Sequence, residues 1–388
     1  MTEWKTYKLG DIAEVQTGPF GSQLHNKDYA LVGSPIVTVE HLGNRHFTAQ
    51  NLPLVSDTDK ARLSKYILSE GDIVFSRVGS VDRCSYVSDK EVGWLFSGRC
   101  LRVRCNREVY PLYIYYYFCL ESVKQYIRNV AVGATMPSIN TQIMSEIPIS
   151  LPSLEEQRRI AGILGAIDDK IECNRRINAN LELQAQALFD KWCESCSKNI
   201  TIKELADNIL DYTPNANSEV VLLNSSDVTQ GVFAKLPLVS NVNLKGQFKK
   251  RFQKGDILYS EIRPRNKHYA YCYFDSDRYI ASTRLIVLRG KKEKIVSNTL
   301  LYQYLISQNV FEEFTLKTET RSGTFPQGNY QDLSSIVVPY SDNQREIAGV
   351  LDSIYKRIWH NNTEIETLTT LRDTLLPKLM NGEIKVAE

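Results

Sequence analysis

Along two stretches of this chain, apolar residues recur in steps of four and three. In the first they fall at Ile160, Leu164, Ile167 and Ile171, pass through Asn174 and Asn178, and resume at Leu181, Ala185, Leu188 and Trp192. In the second they fall at Ile347, Leu351, Ile354 and Ile358, pass through Asn361, resume at Ile365 and Leu368, pass through Arg372, and resume at Leu375 and Leu379. A stripe held this long predicts two long helices that pair along a coiled-coil seam. Each stripe follows a proline, Pro152 or Pro339. Ser153 with Glu156, and Ser341 with Gln344, have capping-box spacing, so both helices are expected to start there. The opening turns are nearly identical: "QRRIAGIL" from Gln157 and "QREIAGVL" from Gln344, an offset of 187 (344 minus 157).

The rest of the chain repeats more loosely. "GDIVFSRV" from Gly71 returns as "GDILYSEI" from Gly255, "GATMP" from Gly133 as "GTFP" from Gly323, and "LYIYYYFCLES" from Leu112 as "LLYQYLISQNV" from Leu300. One period of this length marks a duplicated domain and not a solenoid. Short β-branched and aromatic runs bounded by Gly, Asn, Asp and Pro predict strands: "SPIVTVE", "DIVFSRV", "CLRVRC", "EVVLLN", "DILYSEI" and "RLIVLRG". The tyrosine-rich segments predict helices, either packed into a core or offered as base-stacking platforms. The expected fold is mixed α/β: globular units at 1–150 and 199–338, and spacer helices at 151–198 and 339–388. Connectivity makes the helices antiparallel around an internal pseudo-twofold, with Asn174 and Asn361 meeting at the midpoint to fix register. About forty helical residues reach roughly 60 Å, more than one turn of duplex DNA at about 34 Å.

Composition changes this picture little. The 388 residues carry 47 Lys and Arg against 45 Asp and Glu, so the distribution of charge matters more than its sum. The segment from Lys245 to Lys267 holds Lys249, Lys250, Arg251, Lys254, Arg263, Arg265 and Lys267 against only Asp256 and Glu261. In the first unit Lys27, Arg45, Arg77, Arg83, Arg99 and Arg102 stand out, with Arg321 added in the second. Such cations neutralise phosphates, and Arg reads guanine edges. Any one of them could equally be a solvated charge or half of a structural ion pair. The eight scattered cysteines read as reduced thiols. With no apolar run of membrane-spanning length and no basic-apolar leader, neither secretion nor a membrane is expected, and the cytoplasm is the default compartment.

No catalytic motif stands. Amino-methylation of bases would need an Asn/Asp-Pro-Pro-aromatic segment, but "NSSD" from Asn224 lacks the prolines. "GPFGSQ" from Gly18 lacks the Lys and Ser/Thr of a phosphate loop, and reads as a turn, either beside DNA or simply a turn. Cys193 and Cys196 form a lone C-x-x-C, half of a structural metal site, so no metal is expected. "EIRPRNK" from Glu261 has too few carboxylates for metal-assisted cleavage.

The order "GPFGSQL", "GDIVFSR", "GATMP", then "IPISLPSLEEQRRIAGIL" entering a long helix, with the whole plan repeated, resembles the specificity subunit of type I restriction-modification enzymes. The resemblance covers essentially the full chain. It implies that 1–150 and 199–338 are target recognition domains for double-stranded DNA, each reading half of a bipartite asymmetric target. It further implies that the helices act as spacer and dock two methyltransferase subunits, and that restriction subunits join the full complex. No cofactor is then expected in this chain, S-adenosylmethionine being bound by the methyltransferase partners. The second copy departs from the first, with "SDNQRE" for "LEEQRR" and "SEIRPRN" for "SRVGSVD", so the domains need not share contacts equally. Two other readings stay open from the residues: a protein-binding scaffold with two interaction domains on a coiled coil, and a self-contained modification enzyme.

Overall fold

The computed structural model describes residues 4–21, 23–25, 28–244, 246–320 and 326–386. Two compact units emerge, one from residues 1–172 and 366–388, the other from 173–365. Each joins a globular part to a segment of both long helices. No helix among the described residues is long and apolar enough to cross a membrane.

Every apolar run singled out above is a strand, and the strands follow one topology in both units. In the first unit, strand Lys5–Lys8 pairs antiparallel with Pro148–Leu151. In the second, Lys198–Thr201 pairs antiparallel with Val337–Tyr340. These ladders close each globular part just before a long helix leaves it. The main sheet of the first unit orders Ala13–Thr17, Cys100–Cys105, Ile73–Ser76 and Cys84–Tyr86. The second unit repeats it with Ala206–Asn208, Leu285–Gly290, Ile257–Ser260 and Tyr269–Tyr271. A further sheet in each unit contains one parallel pair, Ser34–Val37 with Leu95–Phe96 and Glu219–Leu223 with Tyr279–Ser282.

The repeated Gly-Asp before the central strand has a structural cause. Gly71 and Gly255 take φ of +87° and +95°, where a side chain would be strained. The next residue caps the turn: Asp72 accepts from Ser69 N at 2.8 Å and Asp256 from Gln253 N at 2.8 Å. Both carboxylates are buried, and each is forked by an arginine from the neighbouring strand, Arg104 at 2.7 and 2.6 Å and Arg289 at 2.6 and 2.9 Å.

The tyrosine-rich helices, Pro111–Cys119 and Asn298–Ile306, are core elements. Tyr113, Tyr115, Tyr116, Tyr302 and Tyr304 are all buried, which removes the stacking-platform reading. The hydroxyls of Tyr113, Tyr116 and Tyr304 find internal acceptors, as buried phenols should. Tyr116 donates to Asp168 of the first long helix at 2.7 Å, and Tyr304 to Pro339 O at 2.6 Å. In the second unit the donor sits on the long helix instead, Tyr355 donating to Gln303.

The long helices run from Leu154 to Glu194 and from Arg345 to Met380. The first starts as expected, Ser153 Oγ accepting from Glu156 N at 3.3 Å. The second does not start at Ser341, because Gln344 is turned into the globular part. Its side chain accepts from Val296 N at 3.2 Å and donates to Lys294 O at 2.9 Å. Gln157 does the same work in the first unit, accepting from Tyr110 N at 2.9 Å and donating to Pro152 O at 3.0 Å. The duplicated glutamine therefore ties each helix to its own domain.

Within the second unit the helices run antiparallel, for Asn174 meets Glu364, Asn178 meets Asn361, and Trp192 meets Asn343. Within the first, Asp168 pairs with Arg372 at 2.8 Å, and Ile160 and Leu164 share a core with Leu376 and Leu379. Of the seam positions, Ile160, Leu164, Ile171, Ile347, Leu351 and Ile358 are buried, and Ile167, Leu181, Ile354, Leu368 and Leu375 are partly so. Leu188 is not in the seam: it is 42% exposed, and Phe189 is buried in its place. An α-helix turns every 3.6 residues, so a stripe counted at 3.5 slides round by its far end.

The midpoint also differs from the expected pairing. Asn174 and Asn361 are both fully buried, yet Asn361 Nδ2 donates to Asn178 Oδ1 at 2.7 Å while Asn174 Nδ2 donates to Glu364 at 2.7 Å. Asn178 Nδ2 in turn donates to Asn362 Oδ1 at 2.7 Å. The staggered network uses one turn more of helix than a symmetric pair would, and sets register through several polar partners.

Two outcomes follow from these contacts. Gln344→Ala removes the bonds to Val296 N and Lys294 O, the latter still accepting from Tyr340 Oη, and is expected to lower unfolding free energy by about 1 kcal/mol, read as a reduced urea midpoint. Asn178→Leu and Asn361→Leu should each cost about 1 kcal/mol or more. The double variant should lose less than their sum; strict additivity in the same urea melts would show that the two side chains do not interact.

Candidate nucleic-acid interface

In an antiparallel sheet, neighbouring strands begin where the central one ends. In the first unit this brings three arginines to one sheet edge: Arg77 just after Ile73–Ser76, Arg83 just before Cys84–Tyr86, and Arg99 just before Cys100–Cys105. The backbone locks the arrangement, Ser76 N donating to Arg83 O at 2.9 Å and Arg77 N to Arg99 O at 2.8 Å. Arg83 and Arg99 are exposed and line a groove of 680 Å³ together with Phe20, Tyr29, Thr38 and Glu40. Arg77 is half-buried, its guanidinium 5.6 Å from the Phe20 ring centre and 3.3 Å from Gly98 O. The "GPFG" turn forms one wall. A Cβ on Gly18 would lie 2.1 Å from Ser97 O, so only glycine lets that turn approach the Arg99 loop so closely. The groove offers forked donors, an aromatic face and one carboxylate, a set able to grip phosphate and read base edges.

Two first-unit candidates are withdrawn from this surface. Arg45, at a φ of +66°, donates to Gly165 O at 3.0 Å and pairs with Asp169 at 2.9 Å, anchoring the globular part to its helix. Arg102 is 2% exposed, facing Lys65 O and Glu14 at 3.2 Å with the Phe96 ring beneath it. Strand alternation turns it inward. Lys27 lies outside the described residues.

The second-unit cluster separates into parts. Strand Phe248–Lys250 alternates, so Lys249 faces solvent while Lys250 points in and donates to Leu285 O at 2.7 Å. Burial pushes the Lys250 ammonium below its ordinary pKa, which marks it as a core group and not a phosphate contact. Arg251, half-buried and donating to Asp277 O at 3.2 Å, and exposed Lys254 both lie at the end of the sheet away from Glu261. Arg265 is exposed but forked with Glu319, Nη2 at 2.8 Å, so its charge is already matched. Arg263 and Lys267 flank a tight turn, Pro264–Asn266, at φ of +46° and +53°. Lys267 lies 5.1 Å over the Phe311 ring. Lys245 and Arg321 lie outside the described residues, as do Gly323, Thr324 and Phe325 of the "GTFP" repeat.

Matching the sheets reveals a residue missed in the sequence. Arg284 immediately precedes strand Leu285–Gly290, as Arg99 precedes Cys100–Cys105, and it is exposed. Glu261 N donates to Arg284 O at 3.0 Å, the counterpart of the Arg77 bond to Arg99. The signal was present as "SGR" before one last strand and "STR" before the other, diluted by its distance from the basic cluster.

The comparisons with known proteins agree with this duplicated plan. The family model described as "Type I restriction modification DNA specificity domain" matches residues 1–183 and again 197–370. The HindI specificity subunit of Haemophilus influenzae is 36% identical over 183 residues, covering 46% of this chain and 39% of that protein. The MjaIX specificity subunit of Methanocaldococcus jannaschii is 23% identical over 420 aligned positions, covering 100% of this chain and 94% of that protein. In fold, the chain is similar to a type I restriction-modification S subunit from M. genitalium, with a TM-score of 0.65, 16% identity, and coverage of 97% of this chain and 96% of that one. Such subunits are the non-catalytic components of type I restriction systems. With both halves matched, the chain belongs to the type I restriction-modification DNA specificity family and carries its domain twice.

Proposed function

We propose that this chain selects the DNA target of a type I restriction-modification complex, the recognition domains at 1–150 and 199–338 each reading one half of a bipartite, asymmetric sequence. The observation that carries the reading is the arginine-lined edge of the first sheet and its counterpart in the second: one backbone geometry presenting different side chains. The helices at 151–198 and 339–388 act as an antiparallel coiled coil with pseudo-twofold symmetry. They space the two domains and dock two methyltransferase subunits, with restriction subunits joining in the full complex. S-adenosylmethionine is bound by those methyltransferase partners, and this chain holds no cofactor. The complex works in the cytoplasm, on double-stranded DNA. At the first sheet edge, Arg83 and Arg99 supply direct contacts while Arg77 is held against Phe20. In the second domain Lys249, Arg263, Lys267 and Arg284 are the cations placed to contribute.

The test is to map methylated bases in cells with and without this chain. A bipartite motif that disappears with the chain supports the reading, and an unchanged methylation pattern contradicts it. Within that assay, Arg83→Ala and Arg99→Ala should weaken or relax one half-site only, by about 1–3 kcal/mol for a lost base contact. If either turns out to be a phosphate contact, binding falls across sequences and its salt dependence becomes shallower. Relaxation of both half-sites together would contradict the division of labour.

A further inference from the structure

The second domain places a carboxylate where the first places an arginine. Glu261 and Arg77 occupy the same backbone position by every contact around them. Each follows a serine whose hydroxyl donates two residues on, Ser76 to Val78 O at 2.7 Å and Ser260 to Ile262 O at 3.1 Å. The serine amides donate to Arg83 O at 2.9 Å and His268 O at 2.8 Å. The carbonyl of each accepts from the loop before the short helix that precedes the closing strand, Arg77 O from Ile139 N at 2.9 Å and Glu261 O from Gly328 N at 2.8 Å. The following residues both form isolated bridges, Val78 with Ser138 and Ile262 with Gln327.

Resting on the DNA-recognition reading above, we propose that Glu261 is a base-specifying residue of the second domain, and that it accepts a hydrogen bond from the exocyclic amino group of a cytosine. A carboxylate can only accept, so it is repelled by the O6 and N7 acceptors of guanine and has no donor to meet at thymine O4. Adenine offers an amino group, but with the N7 acceptor beside it; cytosine offers N4 with no competing acceptor in the major groove. The surroundings suit this task. Glu261 is half-buried, and among the described residues its carboxylate has no hydrogen-bond partner. Burial pushes its pKa up, while Lys250 and Arg284 pull it down and favour the ionised form. Lys250 is fixed to Leu285 O, and Arg284 is exposed on the adjoining turn, where it can neutralise a phosphate and keep the acidic residue compatible with a polyanion. In the first domain the same position holds Arg77, a donor-only side chain held against Phe20, so the shared backbone carries opposite charges at matching positions.

The experiment expresses the whole complex with the wild-type chain, with Glu261→Gln, and with Glu261→Arg, and maps methylated bases for each. The wild type should require cytosine at one position of the second half-site. Glu261→Gln, which keeps the shape and removes the charge, should lower discrimination at that position roughly 5- to 100-fold. Glu261→Arg should shift the preference there toward guanine, and both variants should keep the first half-site, the spacing and the melting temperature of the complex. An unchanged motif in both variants overturns the proposal, as does a change confined to the first half-site. It is also overturned if both variants abolish methylation everywhere or melt early, since Glu261 would then serve affinity or structure and not base choice. Loss of the DNA-recognition reading itself looks different: no motif would depend on the wild-type chain.

Discussion

How each long helix leaves its globular part is set by a buried glutamine. Gln157 and Gln344 stand at corresponding places, 2% and 1% exposed, and each accepts from one backbone amide and donates to one backbone carbonyl of its own domain. A hydrogen bond contributes about 1 kcal/mol, so a helix pointing elsewhere would forfeit two. Tyr116 with Asp168 and Tyr355 with Gln303 add a second tie farther along, the donor coming from opposite sides in the two units. Arg372, a charged member of the second stripe, pairs with Asp168 and Asp373; burial opposes its charge, but the two carboxylates prevail and raise its pKa.

This rigid frame explains why the two domains can diverge. The Gly-Asp turn, the Asp72–Arg104 and Asp256–Arg289 forks, and the ladders that close each domain hold the central sheet in one geometry. The edge residues Arg77, Arg83 and Arg99 of the first unit, and Glu261, Lys267 and Arg284 of the second, belong to turns whose backbone is fixed by neighbours. The residues that hold the core and those at the candidate surface are thus different residues of the same strands and turns.

Much of the framework was legible in the sequence because it is written in periodicity and duplication. The alternation of "DIVFSRV" and "DILYSEI" became matched central strands, and the two stripes became helices of 41 and 36 residues. The errors came where local pattern gives way to tertiary context. Leu188 was misassigned because helical pitch drifts from the heptad count; Asn361 found Asn178 because the helices are staggered. The recognition surface was the least legible part. Basic residues close in sequence, such as Lys249 and Lys250, face opposite ways on a strand, whereas Arg77, Arg83 and Arg99 converge only once the sheet is folded. Charge clustering along the chain cannot distinguish a core lysine from a surface one.

The central claim is that the helix pair sets the distance between two independent readers. One heptad inserted after Leu181 in the first helix and one after Ile358 in the second would enter at facing points, since Asn178 Nδ2 already lies 3.5 Å from Ile358 O. Seven residues per helix add roughly 10 Å of length while keeping the seam in phase. Sequencing methylated bases in cells that carry the lengthened chain with its partner subunits reads the outcome directly. The account predicts both half-site sequences unchanged and the gap between them longer by about three base pairs, at roughly 3.4 Å each. An altered half-site with unchanged spacing would contradict it.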